Sequence, residues 1–223
     1  MTTGARAGLV LAAAMATAAP LTAQTAAPAR GLSVAVFVGA PLNLPTRLTI
    51  RQAGTEDLAL AARWATRPFD SPIYYAVRVG CWDRSGAWEV ELLHHKLFLT
   101  NPPAEVGQFD VSHGFNLVLL NRAVRVRGLV IRGGPGLVVA HPENRVRGQA
   151  LPASPTLLGG GYRLAGPALQ LAVGRDWRAV GPLAVGVEAK LTGAWARVPV
   201  AGGRANVPNV AVHALAGIGL APR

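Results

Sequence analysis

The stretch GPLAVGVEAKLTGAWARV, residues 181–198, decides the fold. Read at every second position, it separates into two faces. Leu183, Val185, Val187, Ala189, Leu191 and Trp195 fall on one; Ala184, Gly186, Glu188, Lys190, Thr192, Ala194 and Ala196 fall on the other. Successive side chains of a strand point to opposite sides of the sheet. The segment is therefore a strand with one apolar face and one small, polar, charged face. It is longer than the roughly five or six residues of an ordinary strand. Glu188 and Lys190 in mid-strand suit a wet lumen, and Trp195 suits a membrane interface, which is the pattern of a transmembrane β-barrel strand.

Segments of similar length, separated by turn chemistry, flank it on both sides. Residues 57–66, 73–82, 87–99, 108–120, 129–140, 159–173, 182–198 and 207–220 read as eight strands. Two shorter apolar segments, 31–40 and 47–52, would raise the count to ten if they form a leading hairpin. The expected fold is all-β, an antiparallel up-and-down transmembrane barrel. Both termini of such barrels lie in the periplasm, where turns are short. This parity puts connections 83–86, 121–127 and 175–181 on the periplasmic side, and 100–107, 141–156 and 199–206 outside.

Composition agrees with one such domain. The chain has 223 residues, 51% of them hydrophobic and 15% charged. No apolar run beyond the N-terminal region is long enough to cross a membrane as a helix. The single Cys81 excludes an intramolecular disulfide and a cysteine zinc cluster. The net charge of +11 is spread singly over strands and turns, with no basic helix and no aromatic RNA-binding motif. Nucleic acid is not an expected partner; an anionic membrane surface is. Residues 1–23 combine a basic start, a short apolar run and small residues, and read as a secretory signal peptide. Residues 24–30 form a spacer and 31–223 the barrel domain. Export combined with alternating strands points to the bacterial outer membrane.

Two groups of polar residues carry the chemistry. On the inward faces, Arg63, Arg78, Glu89, Glu91, Glu188, Lys190 and His213 are expected to form a paired network filling the lumen. Eight strands leave room for little more than side chains, so no channel is expected. The outward faces carry the second group. His94 and Lys96 continue the face of Trp88, Val90 and Leu92. His113 shares a face with Phe109, Val111, Phe115 and Leu117. His141 and then Glu143 follow Ile131, Leu137 and Val139. A symmetric hairpin would set His94 opposite His113.

Such groups on a membrane face are costly unless they meet polar headgroups. They read either as a site for headgroup chemistry or as interfacial residues touching phosphate and water. The GGPG at residues 133–136 is expected to bulge, which would affect the facing of His141. Ser112 beside His113 is the nearest approach to a nucleophile and base, but strand neighbours point apart. The chain carries no G-x-S-x-G, P-loop or H-E-x-x-H motif, and no nucleotide cofactor is expected.

From about residue 31 to the end, the chain resembles the lipid A oxidase family of outer-membrane barrels. The resemblance is carried by PIYYAVRVGCW (72–82), the His-x-Lys of HHKLFL (His94, Lys96) and HGFNLVLLNRA (113–123). It continues in GPGLVVAHPENRV (134–146), AGPALQLAVG (165–174) and VEAKLTGA (187–194). It implies an outer-membrane enzyme that oxidises the proximal glucosamine of lipid A to an aminogluconate, with dioxygen as electron acceptor. Phe115 stands before Asn116 where that family often carries His, and the C-terminal aromatic is absent.

On the clustering at the outer rim together with this resemblance, His94, His141 and Glu143 would hold or shape a divalent metal ion. His113 would move protons, with Lys96 beside it, and Lys96, Arg145, Arg147 and Asn116 would contact the lipid. The expected partners are lipopolysaccharide, the outer membrane and the barrel assembly machinery, with the chain a monomer. The alternatives are a non-catalytic structural or adhesive barrel and a lipid A acyl hydrolase.

Overall fold

A computed structural model describes residues 30–152 and 160–222. The expected signal peptide and nearly all of the expected spacer lie outside these residues. In chain order the strands are β1 (Gly31–Leu44), β2 (Thr46–Gln52), β3 (Leu58–Ala62), β4 (Trp64–Ala65), β5 (Tyr75–Asp83), β6 (Gly86–His94), β7 (Leu97–Leu99) and β8 (Val106–Val111). They continue with β9 (Phe115–Val126), β10 (Leu129–Ala140), β11 (Glu143–Val146), β12 (Gln149–Ala150), β13 (Arg163–Val180), β14 (Leu183–Val200) and β15 (Gly203–Leu220).

Eight of them close a ring in the order β1–β5–β6–β9–β10–β13–β14–β15, with β15 pairing back onto β1, every pair antiparallel. The fold is thus the all-β barrel that the alternation predicts. In β14 the expected faces hold throughout: Glu188, Lys190, Thr192, Ala194 and Ala196 are buried, whereas Val185, Val187, Leu191 and Trp195 are exposed. Exposed apolar side chains such as Val79, Val90, Leu120, Leu171 and Ile218 continue this outer belt on the other ring strands. A polar interior inside an apolar belt is the design of an outer-membrane barrel.

The strand count is eight, but its membership differs from the expectation. The first ring strand is β1, not the segment 57–66, and there is no 31–40/47–52 hairpin. β1 lies between β15 and β5, while β2 pairs with β15 and β3. Alternation cannot separate a ring strand from a strand stacked above the ring, because both bury one face. Arg63 is accordingly exposed rather than luminal.

Both ends of the ring and the tight turns at Asp83–Gly86, Arg127–Gly128 and Gly181–Pro182 share one end, as the parity requires. Two of these turns are shorter than expected because β9 and β13 run further inward. At the other end, the expected 199–206 loop is a tight Ala201–Gly202 turn.

β13, β14 and β15 have 18 residues each. Crossing the hydrocarbon takes about 9–11 tilted residues, so the outer parts of these strands stand above the membrane. There β2 and β3 extend the β14–β15 edge, and a second sheet, β12–β11–β8–β7–β4, lies across the opening. Leu48, Ile50, Trp64, Leu97, Val106, Phe109, Val146, Val198 and Val207 form one buried apolar cluster between them. This cap closes the outer end of the lumen.

Below the cap the lumen is polar. His213 takes the Tyr74 hydroxyl on Nδ1 at 2.9 Å and Thr192 Oγ1 on Nε2 at 2.8 Å. Beneath them Arg78 bridges Glu91 and Glu188, Arg132 bridges Glu89 and Glu188, and Lys190 holds Glu91. Three cations thus face three carboxylates, which satisfies the requirement that buried charge be paired. Arg132, on the inward face of β10, completes the network foreseen from the other strands. The side chains of this network occupy the lumen beneath the cap, as the sequence predicts.

Candidate outer-rim site

The site forms where two neighbouring chains leave the ring and enter the cap sheet. β8 of the cap ends at Val111 and β9 of the ring begins at Phe115, with Ser112, His113 and Gly114 between them. β10 of the ring ends at Ala140 and β11 of the cap begins at Glu143, with His141 and Pro142 between them. Pro142 has no backbone N–H and so interrupts the ladder there. Gly114 has φ 144°, and a Cβ on it would collide with the Asn116 amide, so the bend requires glycine. Backbone bonds hold the two breaks side by side: His141 N–H donates to Gly114 O at 2.9 Å, and Phe115 N–H to His95 O at 2.6 Å.

Three ligating side chains meet at this junction. Atoms of His113, His141 and Glu143 lie within 4.8 Å of one another, the one such group among the described residues. His113 Nδ1 is 2.8 Å from Glu143 Oε1, and His141 Nε2 is 4.0 Å from the same oxygen. The imidazole centroids are 4.8 Å apart. Ser112 Oγ donates to Glu143 Oε2 at 2.8 Å, and Tyr162 Oη donates to the His113 carbonyl at 2.8 Å. The Tyr162 ring meets His141 edge-on at 5.1 Å. His141 is half-buried, and desolvation, reinforced by His113, lowers its pKa from the ordinary imidazole value. It is therefore neutral and available as a ligand at neutral pH.

The structure rearranges several expectations. Phe109, Val111, Phe115 and Leu117 are buried, so the face assigned to His113 points inward. His113 is exposed because the chain is irregular from Ser112 to Gly114. The same irregularity overturns the argument that separated Ser112 from His113: Ser112 Oγ lies 3.1 Å from His113 Nδ1. The GGPG segment makes no bulge and stays in step with β9; the register shift falls between Val138 and Val139, against β13.

His94 lies opposite Asn116 rather than His113, and its Nδ1 is 2.7 Å from Asn116 Oδ1 while its ring stacks on Tyr75. His94 thus lies outside the group formed by His141 and Glu143, and His113 stands in its place. Lys96 is buried; its Nζ donates to Asp70 O at 2.8 Å and ties the preceding loop down. Arg147 donates to Gln52 Oε1, Thr55 Oγ1 and Glu56 O, and so is committed to the cap. Arg145, in contrast, borders a cleft with His141, Glu143 and Arg163. Tyr162 and Arg163 carry no spacing signal, and only the fold brings them to the site.

Two imidazoles and a carboxylate, with ligand atoms within 4.8 Å of one another, are the donor set of a 2-His-1-carboxylate metal centre with open positions. A hydrolytic triad fits less well. It needs the serine and the carboxylate on opposite ring nitrogens, whereas Ser112 and Glu143 both face Nδ1 of His113.

No family model matches the chain, and no curated protein matches it in sequence. Among solved structures it is similar to Neisserial surface protein A (NspA), with 8% identity over 86% of this chain and 97% of that one, TM-score 0.42. It is also similar to Ail, the attachment invasion locus protein of Yersinia pestis, with 8% identity over 85% and 99%, TM-score 0.39. Ail in complex with the heparin analogue sucrose octasulfate matches with 7% identity over 85% and 99%, TM-score 0.36. Likeness at this level transfers no residue and no activity. The closed ring, paired lumen and apolar belt are those of an eight-stranded barrel of the outer-membrane type.

Proposed function

We propose that this protein works in the bacterial outer membrane on lipopolysaccharide, oxidising the proximal sugar of lipid A from the outer leaflet. The observation that carries this reading is the convergence of His113, His141 and Glu143 on the outward side of the rim. A polar cluster there is costly in contact with lipid tails and favourable in contact with a sugar phosphate headgroup. The resemblance to lipid A oxidases supports the same reaction.

In this scheme His113, His141 and Glu143 would hold a divalent ion, which supplies Lewis-acid and dioxygen-binding chemistry when bound. Arg145 and Arg163, on the adjoining cleft, bind the lipid phosphate as charge-assisted donors. Ser112 and Tyr162 fix Glu143 and the His113 backbone. In a lipid A whose proximal sugar has a free anomeric hydroxyl, C1 loses two electrons and two protons to become the lactone, and dioxygen takes them up as hydrogen peroxide. Water then opens the lactone to the aminogluconate.

Mass spectrometry of lipid A from cells expressing the chain tests the reaction. Added oxygen on the sugar backbone, lost in His141→Ala and Glu143→Gln, supports it. Unmodified lipid A from a folded wild-type barrel with a suitable lipid acceptor overturns it.

A second reading, a non-catalytic structural or adhesive barrel, is favoured by the cap. Its folded surface exposes Arg51, Arg63, Arg67 and Arg204 above the membrane. This reading expects sucrose octasulfate, the ligand in the Ail complex, to bind the cap, with Arg63→Gln and Arg67→Gln weakening it and lipid A unchanged. The acyl hydrolase is disfavoured by the shared Nδ1, and loss of an acyl chain in the same spectra would restore it.

A further inference from the structure

At the opposite end of the barrel, independently of the outer site, we infer an inner-leaflet binding site for an anionic phospholipid. The Asp83–Gly86 turn and the inner part of β9 enclose a cleft of about 210 Å³, lined by Trp82, Asp83, Arg84, Ser85, Val124 and Arg125. Beside the cleft, on the lipid face of β9, Arg122 donates through Nη2 to Ser85 O at 2.9 Å and Ser85 Oγ at 2.8 Å. Its guanidinium lies 5.8 Å from the Trp88 ring, and that of Arg125 lies 4.4 Å from the Trp82 ring. Both cations are therefore held in place against aromatic faces rather than swinging in water.

Charge in the cleft is unbalanced. Asp83, the acid of the turn, has its carboxylate occupied by Ser85 N–H and Ser85 Oγ, both at 2.6 Å. Among the described residues Arg84, Arg122 and Arg125 form no ion pair with any carboxylate. A phosphodiester supplies the missing charge, and guanidinium forks match its oxygens.

The membrane side of the cleft identifies the source of that phosphate. Cys81, Trp88 and Arg122 face one another across β5, β6 and β9. The next outward row is Val79, Val90 and Leu120, each more than 40% exposed. Arg125, over the buried Trp82, faces the inner mouth of the barrel, whereas Arg122 lies on the lipid face beside Trp88. A headgroup held by Arg84 and Arg122 at the turn would lay its acyl chains along that row, a contact that a free phosphate cannot make. Basic pockets between membrane-spanning helices bind acidic headgroups, and the same charge complementarity is offered here beside membrane strands.

The full-length mature barrel in phosphatidylcholine nanodiscs with a minority of phosphatidylglycerol tests the assignment, with retained lipid counted by native mass spectrometry. Arg84→Gln/Arg122→Gln/Arg125→Gln should retain at least about tenfold less phosphatidylglycerol than wild type. Arg51→Gln/Arg204→Gln, at the outer end, should match wild type. Heat-modifiable gel migration reports folding. Arg84→Gln alone, at an exposed turn position, should still lower retention if the triple variant fails to fold. Wild-type retention in Arg84→Gln and in a folded triple variant overturns the site. Equal retention of phosphatidylcholine also overturns it, as does complete displacement by millimolar inorganic phosphate, which would indicate an anion site without a lipid.

Discussion

His113 Nδ1 lies 2.8 Å from Glu143 Oε1, although neither residue belongs to a ring strand. The contact exists because β8 and β11 pair in the cap, with Glu143 opposite Asp110, while β9 and β10 pair in the ring. Each connection between these two ladders carries one histidine, and the ladders hold the connections in register. The site is thus a product of the junction between two sheets.

Its ligand character is testable without lipid. Titration of the detergent-folded barrel with Co²⁺, followed by its absorption bands, should show one site. Loss of one of three protein ligands in His141→Ala or Glu143→Gln should weaken it by tenfold or more, on the order of 1.4 kcal/mol. His94→Ala should leave it within a few-fold of wild type. Equal weakening by His94→Ala would restore the ligand set read from the sequence.

Gly114→Ala should remove the site and keep the barrel. The residue has φ 144° and its Cβ would enter the Asn116 amide, so the substitution costs about 1–3 kcal/mol of local strain. Co²⁺ binding should fall while heat-modifiable migration is retained. Undiminished binding would mean that the Ser112–Gly114 bend does not position His113.

Ser112 separates oxidation from hydrolysis. Its hydroxyl and Glu143 share the same nitrogen of His113, which leaves the serine a positioning role. Ser112→Ala is expected to keep any sugar oxidation within about a hundredfold, the scale of one lost hydrogen bond to a carboxylate. Complete loss of a lipid A product in this variant, with the fold intact, would mark the hydroxyl as a nucleophile.

The luminal network should dominate single-site stability. Glu91→Ala leaves Arg78 and Lys190 to share Glu188 with Arg132, three buried cations on two carboxylates, and breaking a buried pair costs about 3–5 kcal/mol. Val90→Ala, one position away on the lipid face, should cost far less. Urea titration of folding into lipid vesicles measures both, and similar losses would show that the network does not carry this stability. Wild-type protein should give no steady conductance in planar bilayers, since the cap and network block the lumen.

Lys96 sets a pH dependence outside the spanning strands. Burial lowers its pKa from the ordinary lysine value, so between the folded and unfolded values the unfolded chain binds more protons. Stability should therefore rise with pH in the alkaline range as the buried ammonium deprotonates, reaching its full gain above the ordinary value of about 10.4. Lys96→Met should flatten that slope in vesicle unfolding measured between about pH 8 and 10. A slope unchanged by the substitution would place its origin elsewhere.

Much of the fold is legible in the chain because a barrel wall repeats one local rule. Each residue of β14 meets either lipid or lumen, and Leu191 beside Thr192 records that choice without reference to a partner strand. The same rule misassigns residues 57–66 and 108–120. Strands of the cap also bury one face, but against each other. In a continuous strand, the Phe109 and Phe115 faces would carry His113 with them. The break at Gly114 releases it, and nothing in the alternation marks that break.

The amino-acid sequence by itself determined an all-β chain with two-faced strands, the end of the barrel reached by each turn, and a paired polar interior. These follow from side-chain polarity at a period of two, which is a local property. Only the tertiary structure decided that β1 opens the ring and that a second sheet seals it. It also decided that His113 replaces His94 beside His141 and Glu143, and that Arg132 joins the buried network. Those outcomes depend on which strands pair and in what register, and pairing is set by the packing of segments far apart in the chain.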